Sequence, residues 1–451
     1  MNDFERDKSM AETIARLAAE KNGRAYYVGG FVRDRLLNIE NKDFDIEVHG
    51  LAPAELEEIL DSLGDRISIG ESFGIYALKG YSLDIAMPRK EKLYGTGHKD
   101  FDIFVDPYIG TRKAAERRDF TINAMMQDVL SGEITDHFGG MEDLKSGVLR
   151  HVSSETFREG PLRVLRAAQF TARFHLAPAE ETIELCRSMN IGHLAKERVE
   201  AELKKALLKS DEPSVFFETL RSMDQLSVWF PEVEALIGVP QDPVHHPEGD
   251  VWNHTMLVLD AAAAFRDEVK NSFGFMLAAL SHDFGKTVCT ERVNGRIHAY
   301  RHETEGLPLA EAFLERLTEE NRLREYTLNL VTNHMRPFMI AQSAGTIKST
   351  NRLFDEAVDP EALICLSAAD NSGKDEKVIA ERSRFLYERL AIYRETMSRP
   401  YVMGKDLMDA GLQPGESFSQ LLAYAHKLRL AGIDKQEALK QTLSLARKRK
   451  D

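Results

Sequence analysis

The chain has 451 residues, more than one typical domain, so its length predicts two to four domains. Hydrophobic residues make up 43%, enough for buried cores, and no segment reaches the apolar length of a transmembrane helix. The net charge of −14 excludes indiscriminate coating of nucleic acid, and three isolated cysteines exclude a disulfide framework. The first residues are charged and lack the apolar region of a signal peptide, so we expect a cytoplasmic protein with no membrane partner.

A predicted strand, a glycine turn and a predicted helix come first along the chain. Ala25–Val28 is apolar, Gly29 and Gly30 follow it, and Val32–Leu37 has a helical pattern. Backbone N–H groups at such a turn are suited to bind a triphosphate. Gly30 and the nearby Arg33 are therefore candidate nucleotide contacts.

Paired carboxylates mark the next predicted strand, Phe44–Val48. Asp43 and Asp45 are two residues apart, so on a strand their side chains point to the same face. Such a pair can bridge two Mg²⁺ ions roughly 3.5–4 Å apart, the arrangement that supports phosphoryl and nucleotidyl transfer. Tyr81–Ala86 predicts a further strand, on which Asp84 is either a third carboxylate of the site or a solvated side chain.

The segment Arg117–Ala124 places polar residues at helical spacing. On a helix, Asp119 and Asn123 would share one face with Arg118 beside them. An arginine suits phosphate oxygens, and the Asp and Asn side chains suit sugar hydroxyls. This face predicts nucleotide binding, with an ordinary amphipathic helix as the alternative.

From about residue 151 the strand signals end and long helical patterns follow. Phe157–Phe174 and Arg198–Leu208 carry apolar residues three and four apart, as helices that bury one face do. Within the first of them we expect Glu159 to start a helix, with Arg163 one turn later. The pattern predicts an α/β head with a small mixed sheet on a predominantly α-helical body.

A second set of polar residues lies in the C-terminal half. Imidazoles and carboxylates of this kind are ligands of catalytic divalent metals. The set consists of His254, His282, Asp283, His302, His334 and Asp370. His282 and Asp283 directly follow the apolar run Phe275–Leu280, where a charged pair needs partners.

Two lysines of the body, Lys204 and Lys205, are candidate contacts for an RNA backbone. A solvated helix face explains these charges equally well.

In order and spacing, these motifs resemble the class II tRNA nucleotidyltransferases (CCA-adding enzymes) and the bacterial poly(A) polymerases over roughly residues 25–210. The segments Arg89–Phe101 and Phe230–Pro240 resemble the CCA-adding branch whose C-terminal half carries an HD domain. The resemblance implies that Asp43 and Asp45 hold two Mg²⁺ ions, that CTP and ATP are substrates, and that tRNA is the partner.

The same resemblance implies nucleotide contacts and a loop. The turn and the resemblance together give the nucleotide-binding set Gly30, Arg33, Arg118, Asp119, Asn123, Glu159, Arg163 and Arg166. Lys92–Asp106 is expected to be the flexible loop associated with the change from CTP to ATP.

The ordered histidines and aspartates of the C-terminal half resemble the HD phosphohydrolase superfamily. That resemblance implies a first metal at His254, His282, Asp283 and Asp370, and a second metal at His302 and His334. We expect a divalent transition metal there (Mn, Ni, Co or Fe).

One departure from the family pattern concerns base recognition. The family has Glu-Asp-x-x-Arg where this chain has Glu159, Gly160 and then Arg163, and Gln169 replaces a later arginine of the same helix. A carboxylate accepts a hydrogen bond from the exocyclic amine that cytosine and adenine share, and glycine has no side chain to do so.

The expected organisation has four parts. They are 1–150, the nucleotidyltransferase head; 151–240, a helical neck that binds nucleotide and tRNA; 241–380, the HD domain; and 381–451, a helical tail. The leading hypothesis is template-independent addition or repair of the tRNA 3′-terminal CCA, with an HD phosphohydrolase activity. The alternatives are a poly(A) polymerase or partial adder, and an RNA-binding head whose HD domain is the main enzyme.

Overall fold

Short strands build a mixed sheet in the first part of the chain. The computed structural model of the protein describes residues 2–41, 44–68, 74–93 and 101–448. The strands up to residue 178 are β1 (Arg24–Val28), β2 (Phe44–His49), β3 (Arg66–Ser68), β4 (Ile75–Leu78), β5 (Leu83–Ala86), β6 (Arg89–Leu93), β7 (Phe101–Val105), β8 (Met126–Asp128), β9 (Ile134–Thr135), β10 (Val148–Leu149) and β11 (Ala177–Pro178).

The main sheet has the order β3-β4-β5-β2-β1-β8-β9, counted over the described residues. Its only parallel pair there is β2 with β5, and the other neighbours are antiparallel. Strands β6 and β7 pair antiparallel, and β10 pairs with β11 in parallel.

Helices cover the sheet because their apolar residues recur on one side. The helices of this part are α1 (Asp3–Glu20), α2 (Gly30–Leu36), α3 (Pro53–Leu63), α4 (Thr111–Glu116), α5 (Gly140–Ser146), α6 (Ser154–Arg158), α7 (Leu162–Phe174) and α8 (Glu180–Arg187), with a 3₁₀ turn at Thr121–Asn123. In α1, Ala11, Ile14, Ala15 and Ala18 are buried with the spacing of one helix face. They join the core that contains Ile46 of β2.

The two faces of strand β2 differ in chemistry. Phe44, Ile46 and Val48 belong to the hydrophobic core. Because strand side chains alternate, Asp45 and Glu47 point to the other face. The core therefore fixes which side of the sheet carries the acidic residues.

The chain forms two compact units. The first comprises Met1–Leu194 with Ser222–Gln225, and the second comprises Ala195–Arg221 with Leu226–Asp451. The predicted four-part division stays a prediction.

The second unit is mainly helical. Its helices are α9 (Lys196–Lys209), α10 (Ser214–Ser222), α11 (Leu226–Trp229), α12 (Pro231–Glu234), α13 (Val251–Ala263), α14 (Ser272–Ser281), α15 (Lys286–Cys289), α16 (His302–Glu305), α17 (Leu307–Leu317), α18 (Asn321–Asn333), α19 (Arg336–Gln342), α20 (Ile347–Glu356), α21 (Pro360–Asp370), α22 (Glu376–Ser398), α23 (Gly404–Asp409), α24 (Glu416–Leu430) and α25 (Lys435–Lys448). Helix α14 is buried from Phe273 to Ser281 and belongs to the interior of this unit. Within the described part of the chain, no helix is long and apolar enough to cross a membrane.

The fold confirms an α/β head and a helical body, and it corrects several local predictions. Strand pairing does not end at residue 151: β11 follows, and β12 (Glu291–Val293) and β13 (Arg296–His298) form an antiparallel hairpin. Asn294 and Gly295, both with positive φ, make its two-residue turn. Asn-Gly is the usual sequence of such a turn, so this signal was present in the sequence.

The predicted helix over Phe157–Phe174 is two helices. Helix α6 ends at Arg158 and α7 begins at Leu162, so Glu159 ends a helix instead of starting one. Pro161 explains the break, because a proline lacks the backbone N–H and disfavours helical geometry in the residue before it.

Candidate active sites

The glycine turn after β1 lies against the acidic face of the sheet. Gly29 has φ +67°, a conformation that favours glycine. A Cβ atom at this position would lie 3.2 Å from Arg118 Nη1 and 3.7 Å from Asp45 Oδ2. The lack of a side chain at Gly29 therefore allows the turn, Arg118 and Asp45 to approach one another.

Asp45 and Asp84 are neighbours across the parallel pair β2–β5. Their Cα atoms are register partners, so their side chains lie on the same face of the sheet. Asp84 is exposed and Asp45 is partly buried. The structure thus brings together two of the three predicted carboxylates, while Asp43 lies outside the described residues.

Glu47 is a third acidic group on this face that the motif analysis did not identify. Its Oε1 accepts a hydrogen bond of 2.8 Å from His49 Nε2, and its Oε2 lies 3.5 Å from Arg118 Nη2. Burial raises the pKa of Glu47, but the bond from His49 and the charge of Arg118 outweigh it, so the pKa is lowered overall. Glu47 follows Asp45 by two residues, so the strand period contained this signal.

Asp119 and Asn123 meet, although not on the predicted helix. Phe120 between them is extended and Asn123 ends the 3₁₀ turn, so the predicted shared helix face is wrong. Asn123 Nδ2 nevertheless donates to Asp119 Oδ1 at 2.9 Å, and Arg166 Nε donates to Asp119 Oδ2 at 2.7 Å. Burial raises the pKa of Asp119, but Arg166 and Asn123 outweigh it and hold the carboxyl ionised.

Arg33 contacts Asn123, one member of the pair Asp119 and Asn123. Its Nη1 donates to Asn123 Oδ1 at 2.5 Å, and its Nε and Nη2 donate to Asp34. The guanidinium lies 4.3 Å from the centre of the Phe174 ring, and the side chain is buried. These contacts orient Asn123, and a direct contact of Arg33 with nucleotide stays a prediction.

Gly160 lies directly under the side chain of Arg163. A Cβ at Gly160 would come within 3.0 Å of Arg163 Nε. Arg163 also donates to the carbonyl oxygens of Thr156 (2.6 Å) and Arg117 (2.7 Å). Arg163 is thus held against the segment where the family motif carries its aspartate.

The predicted loop Lys92–Asp106 is described only in part. Residues 94–100 lie outside the described residues, and the flanking β6 and β7 pair with each other.

The second unit brings together all six predicted metal ligands. His254 lies on α13, the pair His282 and Asp283 directly follows α14, and the remaining ligands lie at ends of helices. The donor atoms form two groups in which all atoms lie within 4.8 Å of one another. One group is His254, His282 and Asp370, and the other is Asp283, His302 and His334.

Asp283 lies between the two groups. Its Oδ1 is 3.2 Å from His302 Nε2, and its Oδ2 is 3.2 Å from His282 Nε2 and 3.5 Å from His254 Nε2. Burial raises the pKa of Asp283, but His282 and Lys286 outweigh it and lower the pKa. An ionised carboxylate with one oxygen toward each group can coordinate a metal ion in both groups.

The imidazole rings are turned so that Nε2 faces the centre. His282 Nδ1 bonds to the Ala279 carbonyl at 2.8 Å, His302 Nδ1 to that of Ala299 at 2.9 Å, and His334 Nδ1 to that of Val331 at 2.7 Å. Each partner is three residues earlier in the chain. Such bonds fix the tautomer and orientation of metal-binding histidines.

His254 is oriented by a side chain. Its Nδ1 bonds to Glu248 Oε1 at 2.8 Å and its Nε2 to Asp370 Oδ1 at 3.0 Å. Burial lowers the pKa of His254, but these carboxylates outweigh it and raise the pKa to about 9. Glu248 was missed because it contacts His254 only at Nδ1; it also bonds to His246 Nδ1 at 2.9 Å.

The donor chemistry fits divalent cations. His282 Nε2 is buried and makes no hydrogen bond among the described residues. Burial and the neighbouring imidazoles lower the pKa of His334 to about 3, which keeps the ring neutral. Neutral imidazoles and ionised carboxylates are the forms that bind metals, so His254, whose pKa is raised, would release its proton when an ion binds.

Two glycines set the spacing of this centre. A Cβ at Gly285 would lie 2.0 Å from the His302 carbonyl oxygen, and one at Gly306 would lie 2.6 Å from the Gly285 nitrogen. The backbones of α15 and α16 therefore touch, which holds His302 beside Asp283.

Lys204 and Lys205 have partners within the second unit. Lys204 Nζ lies 5.2 Å from the centre of the Phe273 ring, and Lys205 Nζ lies 2.8 Å from Glu202. Contact with RNA stays a prediction for both.

The sequence relationships agree with this geometry. The poly A polymerase head domain family matches residues 25–150, and the HD domain family matches residues 251–372. The multifunctional CCA protein of Actinobacillus pleuropneumoniae serotype 5b (strain L20) is 38% identical over 316 residues, which are 68% of this chain and 74% of that protein. The chain belongs to the family of bacterial CCA-adding enzymes that carry an HD domain.

Another member of the CCA-adding family matches over a longer stretch. The multifunctional CCA protein of Pasteurella multocida (strain Pm70) is 34% identical over 405 residues, covering 86% of this chain and 92% of that protein. The resemblance inferred from the motifs, including the HD domain, is therefore confirmed.

Solved CCA-adding enzymes share the fold. The Bacillus stearothermophilus CCA-adding enzyme in complex with CTP has a TM-score of 0.69 at 20% identity and covers 98% of each chain. The Thermotoga maritima CCA-adding enzyme complexed with tRNA has a TM-score of 0.65 at 21% identity and covers 99% of each chain.

Proposed function

We propose that the first unit adds or repairs the 3′-terminal CCA of tRNA, using CTP and ATP without a nucleic-acid template. The observation that carries this proposal is the pairing of Asp45 with Asp84 on parallel strands, beside Arg118 and the Gly29 turn. Family membership supports the same activity, because the curated relatives are multifunctional CCA proteins.

The residues of the site have distinct proposed roles. Asp43 and Asp45, with Asp84, would hold Mg²⁺, which when bound activates the tRNA 3′-hydroxyl and stabilises the leaving pyrophosphate. Arg118 would contact the triphosphate, and Asp119 and Asn123 would contact the sugar. The 3′-oxygen bonds to the α-phosphorus as the bond to pyrophosphate breaks.

The decisive experiment supplies tRNA lacking its CCA end together with each labelled nucleotide. Incorporation of C, C and then A supports the proposal. A long adenosine tail would indicate a poly(A) polymerase, and addition of only C or only A would indicate a partial adder. If no nucleotide is incorporated while the second unit still hydrolyses phosphate esters, the first unit is an RNA-binding head.

We further propose that the second unit is a metal-dependent phosphohydrolase. His254, His282 and Asp370 would hold one ion and His302 and His334 another, of the class Mn, Ni, Co or Fe, and Asp283 would contribute one oxygen to each. When bound, ions of this class would supply hydroxide from water at neutral pH for the hydrolysis of a phosphate ester. Lys286, whose Nζ lies 2.6 Å from Asp283 Oδ2, would contact a substrate phosphate.

Base selection should depend on residue 160. Without an acceptor there, we expect weaker discrimination between CTP and UTP than a carboxylate would give, and Gly160→Asp should raise the preference for CTP. A lost hydrogen bond of about 1–3 kcal/mol corresponds to roughly a 5- to 150-fold change in the ratio of the kcat/KM values for CTP and UTP. The measurement is kcat/KM for both nucleotides on tRNA lacking CCA.

The matched control is Gly160→Leu, which adds a side chain of similar size beside Arg163 but no hydrogen-bond acceptor. If the original protein already rejects UTP by about a thousandfold and Gly160→Asp adds nothing, the acceptor is elsewhere in the protein.

Glu47 should act through Arg118. We expect Glu47→Gln to raise the KM for CTP and ATP about tenfold with a smaller change in kcat, because Arg118 loses its charged neighbour. Asp128→Asn is the control, since it also removes a carboxylate paired with an arginine of this sheet, Arg24. An equal rise in KM for both variants, or additive effects of Glu47→Gln and Arg118→Lys in the double variant, would refute this positioning role.

A further inference from the structure

A cavity of about 370 Å³ lies beside the two groups of metal ligands in the second unit. Asp283, His302, His334 and Asp370 contribute to its wall. This volume lies within the usual range for sites that bind small organic ligands. The cavity is therefore large enough for a ligand larger than a single phosphate group.

One wall of the cavity is flat and aromatic. The His298 and Tyr300 rings are stacked, with centroids 4.9 Å apart and planes 9° from parallel. Tyr300 is nevertheless 64% exposed, and Met339, which also lines the cavity, is 60% exposed. His298 thus holds one side of the tyrosine ring while much of the ring surface stays accessible.

Other lining residues carry positive charge. Lys286 contacts Asp283, and its Nζ donates to Gln241 Oε1 at 2.7 Å. Lys374 and Arg382 also line the cavity, and the Arg382 guanidinium lies 5.6 Å from the centre of the Phe338 ring. Cations beside an aromatic wall match a ligand that joins a phosphate to a planar ring.

We propose that Tyr300, backed by His298, is a base-stacking platform that makes this centre select phosphate esters of nucleosides over esters without a ring. The inference rests on the proposed phosphohydrolase activity of the same unit. An aromatic side chain suits this role because every base has a stacking face, so the platform would accept purines and pyrimidines. The ring is presented by the β12–β13 hairpin and the residues after it, outside the set of metal ligands.

The test compares two secondary phosphate esters, adenosine 3′-monophosphate and glycerol 2-phosphate, with the full-length protein and Mn²⁺. The readout is the ratio of their kcat/KM values. Tyr300→Ala should lower the ratio by roughly 5- to 150-fold, mainly through a higher KM for the nucleotide. Tyr300→Phe keeps the ring and should keep most of the ratio. Val288→Ala, an exposed apolar residue of α15 that does not line the cavity, controls for surface changes.

An unchanged ratio in Tyr300→Ala would overturn the platform, as would a loss that Tyr300→Phe shares. If the original protein hydrolyses neither ester, the phosphohydrolase proposal fails separately. In that case, calorimetry of adenosine 3′-monophosphate binding to the original protein and to Tyr300→Ala tests the platform. The first unit is identical in these two proteins, so a difference in binding comes from the second unit. Equal heats and affinities for the original and Tyr300→Ala would overturn it, and weaker binding to Tyr300→Ala would support it.

Discussion

Asp45→Ala should reduce incorporation of CTP and ATP into tRNA by at least about a thousandfold while the protein remains folded. Asp45 is the described carboxylate of the predicted pair, and it faces Asp84 across parallel strands. Removing a group that holds charge-stabilising ions at the reacting phosphate costs about 10²–10³-fold or more. The measurement is a single-turnover assay with labelled CTP on tRNA lacking CCA. Asp43→Ala should behave in the same way.

Two further variants sharpen this test. Asp45→Asn keeps the shape of the side chain and removes its charge, so it should be nearly as inactive as Asp45→Ala. Asp128→Asn removes a carboxylate from the same sheet and should keep its activity. Extension at a tenth or more of the normal rate by Asp45→Ala or Asp43→Ala would refute the assignment of the two-metal site.

Joint replacement of His282 and Asp283 by alanine should abolish hydrolysis of phosphate esters and of 2′,3′-cyclic phosphates by the second unit. His282 belongs to one group of ligands, and Asp283 approaches both, so the double variant disrupts both positions. Chelation of the original protein with EDTA should have the same effect, and added Mn²⁺ should reverse it only in the original. Nucleotide addition should persist in the variant, because its carboxylates lie in the first unit.

Both residues are buried, so Asp283→Asn, which keeps the volume, serves as the second variant if the alanine pair unfolds. Glu248→Gln is a graded control: it removes the carboxylate that bonds to His254 and His246 and leaves the six ligands in place, and changes of this kind typically weaken metal binding about 10- to 100-fold. Loss of hydrolysis and nucleotide addition together in a folded Asp283→Asn protein would contradict two separate sites.

Strong local patterns were predictable from the sequence. Ala25–Val28 and Phe44–Val48 form strands as predicted. The alternation of Phe44–Val48 lets its apolar residues face one core, and the apolar run Ala25–Val28 is buried on both faces of the sheet. The six ligands of the second unit were found because each is a chemically distinctive residue in a recognisable order. The predicted strand Tyr81–Ala86 begins only at Leu83.

What escaped prediction depends on contacts between distant segments. The spacing of Asp119 and Asn123 matched a helix, yet the 3₁₀ turn brings them together by another route and Arg166 completes the contact. The position of Asp283 between two ligand groups follows from the packing of several helices, which no local pattern contains. Glu47 has the local sequence of an ordinary strand residue, and its role depends on Arg118, which is distant in the sequence and lies 3.5 Å away in the fold.

The contact between Gly285 and Gly306 implies a vulnerability that surveys of reactive side chains would overlook. Neither glycine has a group that binds metal or substrate, yet one added methyl would push two backbones apart at the point where they set the distance between Asp283 and His302. A larger residue at either position would thus abolish hydrolysis although all six ligands are still present. A relative that keeps every histidine and aspartate but carries a larger residue here would be an inactive enzyme with an intact signature.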